Sequence, residues 1–291
     1  MPAKVAILVV LAAFTVAYAV VFLASLRKNG VRSLSAAPVA TGFVTNFFDT
    51  LGIGSFATTT ALFRFLRLVP DRIIPGTLNA GHTLPTVVQA FIYTSVIPVD
   101  ALTLFSMIAA AVLGAWLGAG IVAGWSKRKV QIGMSAALLA AAIFFTMKNL
   151  SLFPAGSDAI GVRGVQLVVA IGGNFLLGAL MSLGIGLYAP CMVLVGLLGM
   201  NERTAFPIMM GSCAFLMPVG SLKFIREKAY GLRAALGLAL GGIPGVLLAA
   251  YIVKSLDLKT VRWLVIVVVV YTALTMLKSG LSGPDAPEEH R

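Results

Sequence analysis

Nine apolar stretches separated by short, often basic turns fill almost the whole chain, and two of them are too long for one membrane crossing. At about 20 residues per crossing, they run Val5–Leu26, Pro38–Leu66, Ile74–Val96, Ala101–Trp125, Val130–Met147, Val165–Met200, Ala205–Phe224, Leu232–Val253 and Val261–Leu277. The second and sixth measure 29 and 36 residues, and both carry glycines in their middle. Of 291 residues 59% are hydrophobic and only 11% charged, whereas soluble domains are near half apolar and a quarter charged. Lipid is the solvent such a chain requires, and the expected class is an all-α polytopic membrane protein. Val5–Leu26 is about twice the length of a signal-peptide core and is followed by Arg27-Lys28. It is therefore read as a first transmembrane helix, although Ala17-Tyr18-Ala19 resembles a cleavage site.

The net charge of +12 does not indicate nucleic acid. The cations cluster at segment ends (Arg27-Lys28, Arg64-Arg67, Lys127-Arg128-Lys129, Lys223-Arg226-Lys228), as they do in loops that face anionic headgroups. Two cysteines, Cys191 and Cys213, provide neither a disulfide framework nor zinc-type spacing.

The middle of the second stretch reads Asp49-Thr50-Leu51-Gly52-Ile53-Gly54-Ser55, and the sixth reads Ser182-Leu183-Gly184-Ile185-Gly186-Leu187-Tyr188. Leu-Gly-Ile-Gly thus recurs 132 residues on. An acid–Arg turn follows each copy, Asp71-Arg72 in one and Glu202-Arg203 in the other, and then Pro75 with Gly81 against Pro207 with Gly211. These parallels predict an internal duplication: an extra helix and basic loop in 1–36, repeats in 37–150 and 160–280, and a polar tail in 281–291.

Charge counting then selects a topology. If all nine stretches cross, each face receives 11 Lys and Arg. If the two long stretches instead enter and leave on one side, fifteen cations gather inside: Arg27, Lys28, Arg32, Arg64, Arg67, Arg72, Lys127, Arg128, Lys129, Lys223, Arg226, Lys228, Arg233, Lys278 and Arg291. Seven remain outside, so the positive-inside rule favours hairpins. Each repeat then crosses three times and the second is inverted relative to the first. Limbs of roughly 14 residues reach about 20 Å, so both tips meet near the midplane, the plan of transporters built from inverted repeats and broken helices. Glycine lets such a tip turn. The restarting helices would aim free N–H groups and positive dipole ends at one cavity, which suits an anion. Close helix packing is the other reading of these glycines.

Leu51-Gly52-Ile53-Gly54, Leu183-Gly184-Ile185-Gly186 and the acid–Arg turns resemble the sulfite exporter TauE/SafE family of membrane permeases. The resemblance spans about Ala37 to Gly280, with bulkier tips here (Gly54-Ser55-Phe56 and Gly186-Leu187-Tyr188) than in many members. It implies export of sulfite or organosulfonates such as sulfoacetate. The short loops and the lack of targeting segments make the bacterial inner membrane the expected location of this multi-pass protein.

Candidate substrate-binding residues are Gly52, Gly54, Ser55 and Thr58 at the first tip, and Gly184, Gly186, Tyr188 and Cys191 at the second. Asn79 and His82 in the third segment and Ser212 in the seventh complete the set. Cys191 and Cys213 also read as small buried thiols. Asp49 and His82 are the proton-coupling candidates, for an intramembrane ionisable group marks function unless it lies nearer the aqueous mouth. Asn46 and Gln89 rank lower, and Asn174 reads as helix-to-helix bonding. No nucleophile elbow, P-loop or metal-binding His pair is present, so neither an enzyme nor a cofactor is expected. The expected partners are a small anionic substrate and the bilayer, and a homo-oligomer stays open. The expected activity is secondary transport by alternating access at a midplane site; a passive anion channel and an importer are the alternatives.

Overall fold

The computed structural model describes residues 2–29, 34–152, 157–184, 186–251 and 258–282. The helices are α1 (Pro2–Lys28), α2 (Ala36–Thr50), α3 (Ser55–Phe65), α4 (Ile74–Val96), α5 (Ala101–Val122), α6 (Lys127–Asn149), α7 (Gly164–Met181), α8 (Tyr188–Leu197), α9 (Ala205–Arg226), α10 (Leu232–Tyr251) and α11 (Leu258–Ser282). Both long apolar stretches are broken at the glycine motif, into α2–α3 and α7–α8. The limbs are unequal, 15 and 11 residues in the first pair and 18 and 10 in the second, where equal limbs of about 14 were expected. Hydropathy cannot locate a turn inside an apolar run; the left-handed glycines Gly52 (φ 90°), Gly54 (φ 85°) and Gly184 (φ 92°) do. The acid–Arg turns become short 3-10 turns, Asp71–Ile73 and Glu202–Thr204, each leading into the next long helix. Of the expected tail, 283–291 lies outside the described residues, as do Arg32 and Ile185.

Among the described residues, seven helical segments are long and apolar enough to cross a membrane, which makes this a multi-pass membrane protein. Their outer faces carry Val9, Val16, Val20, Leu113, Trp116, Leu117, Ile121, Val168 and Leu176, all exposed. A surface that oily belongs against lipid tails, not water. The interior carries the opposite signature. α4 has 23 residues and is long enough to span, yet it is not among those seven, because it bears Thr77, Asn79, His82, Thr83, Thr86 and Gln89. All six are buried. Lipid offers no hydrogen bonds, so a helix this polar is stable only when wrapped by protein, and α4 lies in the middle, packed on α9 and α10.

The packing is reciprocal. α2 lies along α10 while α7 lies along α5; α4 pairs with α9, and α6 with α11. Small residues permit the closest contacts. The Cα of Gly245 in α10 faces the backbone carbonyl of Phe43 in α2, and Gly114 in α5 faces that of Phe175 in α7. Phe43 and Phe175 are 132 residues apart, the same interval as the tip motifs.

The helix ends are fixed by polar contacts. Pro38 meets Gly237, Val39 meets Gly241 and Phe43 meets Gly245, so α2 and α10 run side by side in the same direction. The Gly231 amide donates to Thr77 Oγ1 at 2.8 Å, bringing the start of α10 to the start of α4. Arg64 at the end of α3 pairs with Asp71 at 2.6 Å, and Gln131 of α6 donates to the same carboxylate at 2.8 Å. At the other end Arg163, just before α7, grips Asp100 with two bonds of 2.7 Å. The guanidinium holds the Asp100 carboxyl well below the usual carboxylate range. Asp100 also caps α5 by accepting from the Thr103 amide at 2.9 Å. The exit from α8 joins this end, where the Asn201 amide donates to the Ala159 carbonyl at 2.8 Å.

Candidate functional site

The two glycine tips come together. Gly54, Ser55 and Phe56 from the first, and Gly186, Leu187 and Tyr188 from the second, line a cavity of about 10 Å³ with Asp49, Thr86, Met181 and Cys213. A second cavity of about 20 Å³ opens between Gly54, Phe56, Gly186, Tyr188 and the α6 residues Ala141, Phe144 and Phe145. Each has room for roughly one water, so the site is closed in this conformation.

A chain of hydrogen bonds crosses it. Tyr188 at the start of α8 donates from its hydroxyl to Gln89 Oε1 at 2.7 Å. Gln89 Nε2 donates to Asp49 Oδ2 and to Thr50 Oγ1, both at 2.9 Å. Asp49 Oδ1 accepts from the Ser55 backbone amide at 2.5 Å. Four groups from α2, α3, α4 and α8 thereby satisfy one another without water, as a dry interior requires. Asp49 is only 2% exposed, which removes the reading that it sits near an aqueous mouth.

This corrects the expectation of two open helix N-termini. The first free amide of α3 is already occupied by the Asp49 carboxylate, a charge suited to the positive end of the helix dipole. At the second tip the matching residue is Met181, and α8 begins with no side-chain cap. The two tips share a left-handed glycine, Gly52 and Gly184, but differ in chemistry and in how the second helix starts.

His82 belongs to a neighbouring cluster. Its Nε2 lies 2.9 Å from Thr59 Oγ1 and its Nδ1 3.1 Å from Asn46 Oδ1, with Thr45 bonded to Thr59 at 3.0 Å. Its ring centroid lies 5.8 Å from that of Phe56, so one aromatic side chain touches both the cluster and the cavity wall.

The remaining candidates divide. Gly52 and Gly184 shape the tips, and Gly54, Ser55, Gly186 and Tyr188 line the cavity. Thr58 turns its hydroxyl to the Gly54 and Ser55 carbonyls at 3.1 and 2.9 Å, the usual habit of threonine in membrane helices. Asn79 donates to the Pro75 carbonyl at 2.9 Å. Ser212 and Asn174 bond each other at 2.9 Å, which ties α7 to α9. Cys191 is fully buried and borders neither tip cavity, whereas Cys213 lines one.

Three participants went unselected or underrated. Gln89, ranked low on sequence, joins the two tips. Thr86 lines the cavity one helical turn away from it. Lys148, one of the seven cations that the charge count leaves outside, reaches the first tip, its Nζ lying 3.4 Å from the Gly52 carbonyl and 3.6 Å from Met192 Sδ. The available signal was its place in the last turn of α6, one helix length from the basic end.

The described helices thus hold a polar, closed site between two glycine-tipped broken helices. Residues 165–291, which begin in α7 and run to the end of the chain, match the family model described as Sulfite exporter TauE/SafE. No curated protein and no solved structure matches the chain.

Proposed function

We propose that this chain is a secondary transporter that exports small sulfur-containing anions, sulfite or organosulfonates such as sulfoacetate, by alternating access at the junction of the two tips. The observation that carries the reading is the Tyr188–Gln89–Asp49–Ser55 chain, which links the tips inside a bundle that is apolar outside. The match of residues 165–291 to the family model described as Sulfite exporter TauE/SafE supports the substrate class. A membrane potential negative inside favours anion exit by about 2.3 kcal/mol per charge per 100 mV, so export needs no nucleotide.

In this reading 37–150 and 160–280 are inverted repeats, each a re-entrant hairpin followed by three crossings. The reciprocal pairs α2–α10 and α7–α5, and the placement of the hairpin ends at opposite ends of the bundle, support it. Cysteines introduced at Ser35 and Leu68 should label from one side of the membrane only, with native Cys191 and Cys213 buried and silent. Labelling from opposite sides would end the hairpin assignment.

The substrate enters when the tips part, because cavities of about 10 and 20 Å³ are too small for a sulfonate. That closure also favours a carrier over an open channel. The uncapped start of α8, the Tyr188 hydroxyl and the Lys148 ammonium offer donors to the anion, while Asp49, with His82 behind it, exchanges the coupled proton. Purified protein should gain thermal stability with sulfite, sulfoacetate or taurine and not with chloride. A ligand at 100 times its Kd contributes about 2.7 kcal/mol. Folded protein that responds to chloride and sulfite alike, or to none of the panel, would count against the substrate class.

A further inference from the structure

We propose that the groove between the end of α1, the α3–α4 connection and the α9–α10 turn is a binding site for the headgroup of an anionic phospholipid. The groove is large, about 740 Å³, and well separated from the tips. Its polar wall holds Lys28, Lys228 and Arg233, and no carboxylate lines it among the described residues. None of the three cations forms an ion pair with a described residue. Ser25 Oγ and Tyr230 Oη, 2.7 Å apart, add hydrogen-bonding capacity on the same wall. The other wall is apolar, made by Leu68, Val69, Ile225 and Leu232. A site that is cationic at the level where helices end and apolar beside it fits an amphiphile better than a free anion: phosphate against the cations, acyl chains along the hydrocarbon. Cationic pockets between helix ends are where anionic headgroups gain most.

The backbone at Lys228 adds an independent observation. Lys228 follows α9 with φ 52°, and its amide and that of Ala229 close the helix end on the Ile225 and Phe224 carbonyls. Glycine is the residue this left-handed position favours, since a Cβ disfavours it. For the cap alone, lysine is the worse choice; it is understandable if its ammonium serves the groove. Arg67, after α3 at the same end of the molecule, repeats the device with φ 51°.

That backbone gives the test its sign. Full-length protein in neutral detergent should gain roughly 5 °C in Tm on adding phosphatidylglycerol, and retain it in native mass spectrometry, with no comparable effect of phosphatidylcholine. Lys28→Gln combined with Arg233→Gln should remove most of that gain. Lys228→Gly should weaken lipid retention about tenfold while leaving the detergent-only Tm unchanged or higher; it serves as the test by itself if the double variant does not fold. Equal stabilisation by phosphatidylcholine would overturn the proposal, as would a lowered detergent-only Tm in Lys228→Gly. Full reproduction of the shift by inorganic phosphate would replace the lipid with a soluble anion.

Discussion

Replacing Asp49 by alanine is expected to reduce anion flux in proteoliposomes by roughly a hundredfold or more and to lower the stability of the purified protein. The substitution leaves the Ser55 amide and the Gln89 side-chain amide without the acceptor both now use. A buried donor without a partner is destabilising by about 1–3 kcal/mol, and the two are adjacent, on the groups that hold the tips together. Asp49→Asn separates charge from shape. An asparagine oxygen can still accept from Ser55, but its NH2 then meets the Gln89 NH2. Turning Gln89 over relieves that clash only by presenting its NH2 to the Tyr188 hydroxyl, which must then accept instead of donating. The variant is therefore expected to fold and bind but to lose the pH dependence of transport. Unaltered pH dependence in Asp49→Asn would remove Asp49 from proton coupling and move that role to His82.

These expectations also show what could be read from the chain beforehand. The interruption of both long stretches at Leu-Gly-Ile-Gly was legible, because glycine in a left-handed turn leaves a local mark. So were the α4 boundaries, Ile74–Val96, which follow from a proline near the start and the Val-Ile-Pro sequence at the end. The site network was not legible, because its links join residues 40 and 99 positions apart, Asp49 to Gln89 and Gln89 to Tyr188. Gln89 is one polar residue among several on α4, and only the three-dimensional path of α2 and α8 singles it out. Lys148 was missed for a related reason. A cation at a helix end is ordinarily a loop anchor, and its place in the last turn of α6, away from the basic end, does not say that the side chain reaches back to the first tip. Asp49 was found as an oddity, a carboxylate in an apolar run, but its role as the cap of α3 depends on the tightness of a turn that hydropathy does not resolve.

The glycines that let the two halves interlock support the other large prediction. A Cβ at Gly114 would press on the Phe175 carbonyl of α7, and one at Gly245 on the Phe43 carbonyl of α2. The opposing atoms are backbone, which cannot rotate aside as a side-chain tip can, so the helices themselves must separate. Overpacking by one methyl ordinarily destabilises by about 1–3 kcal/mol, and a backbone-to-backbone contact belongs at or above the upper end. Gly114→Ala and Gly245→Ala are each expected to destabilise by about 3 kcal/mol, and the corresponding valine variants to yield no monodisperse protein in size exclusion. Gly172 in α7 is the internal control. It is exposed with nothing within 4 Å of its would-be Cβ, so Gly172→Ala should gain roughly 0.5–1 kcal/mol from helix propensity alone. Opposite signs for chemically identical changes can come only from what each methyl meets. If the two contacts are equivalent faces of a duplicated interface, the Gly114 and Gly245 variants should also lose similar amounts. A large loss at one and none at the other would mean that the second half has drifted from the first and that one broken helix is held far more loosely. The looser one would then be the moving part of the proposed carrier.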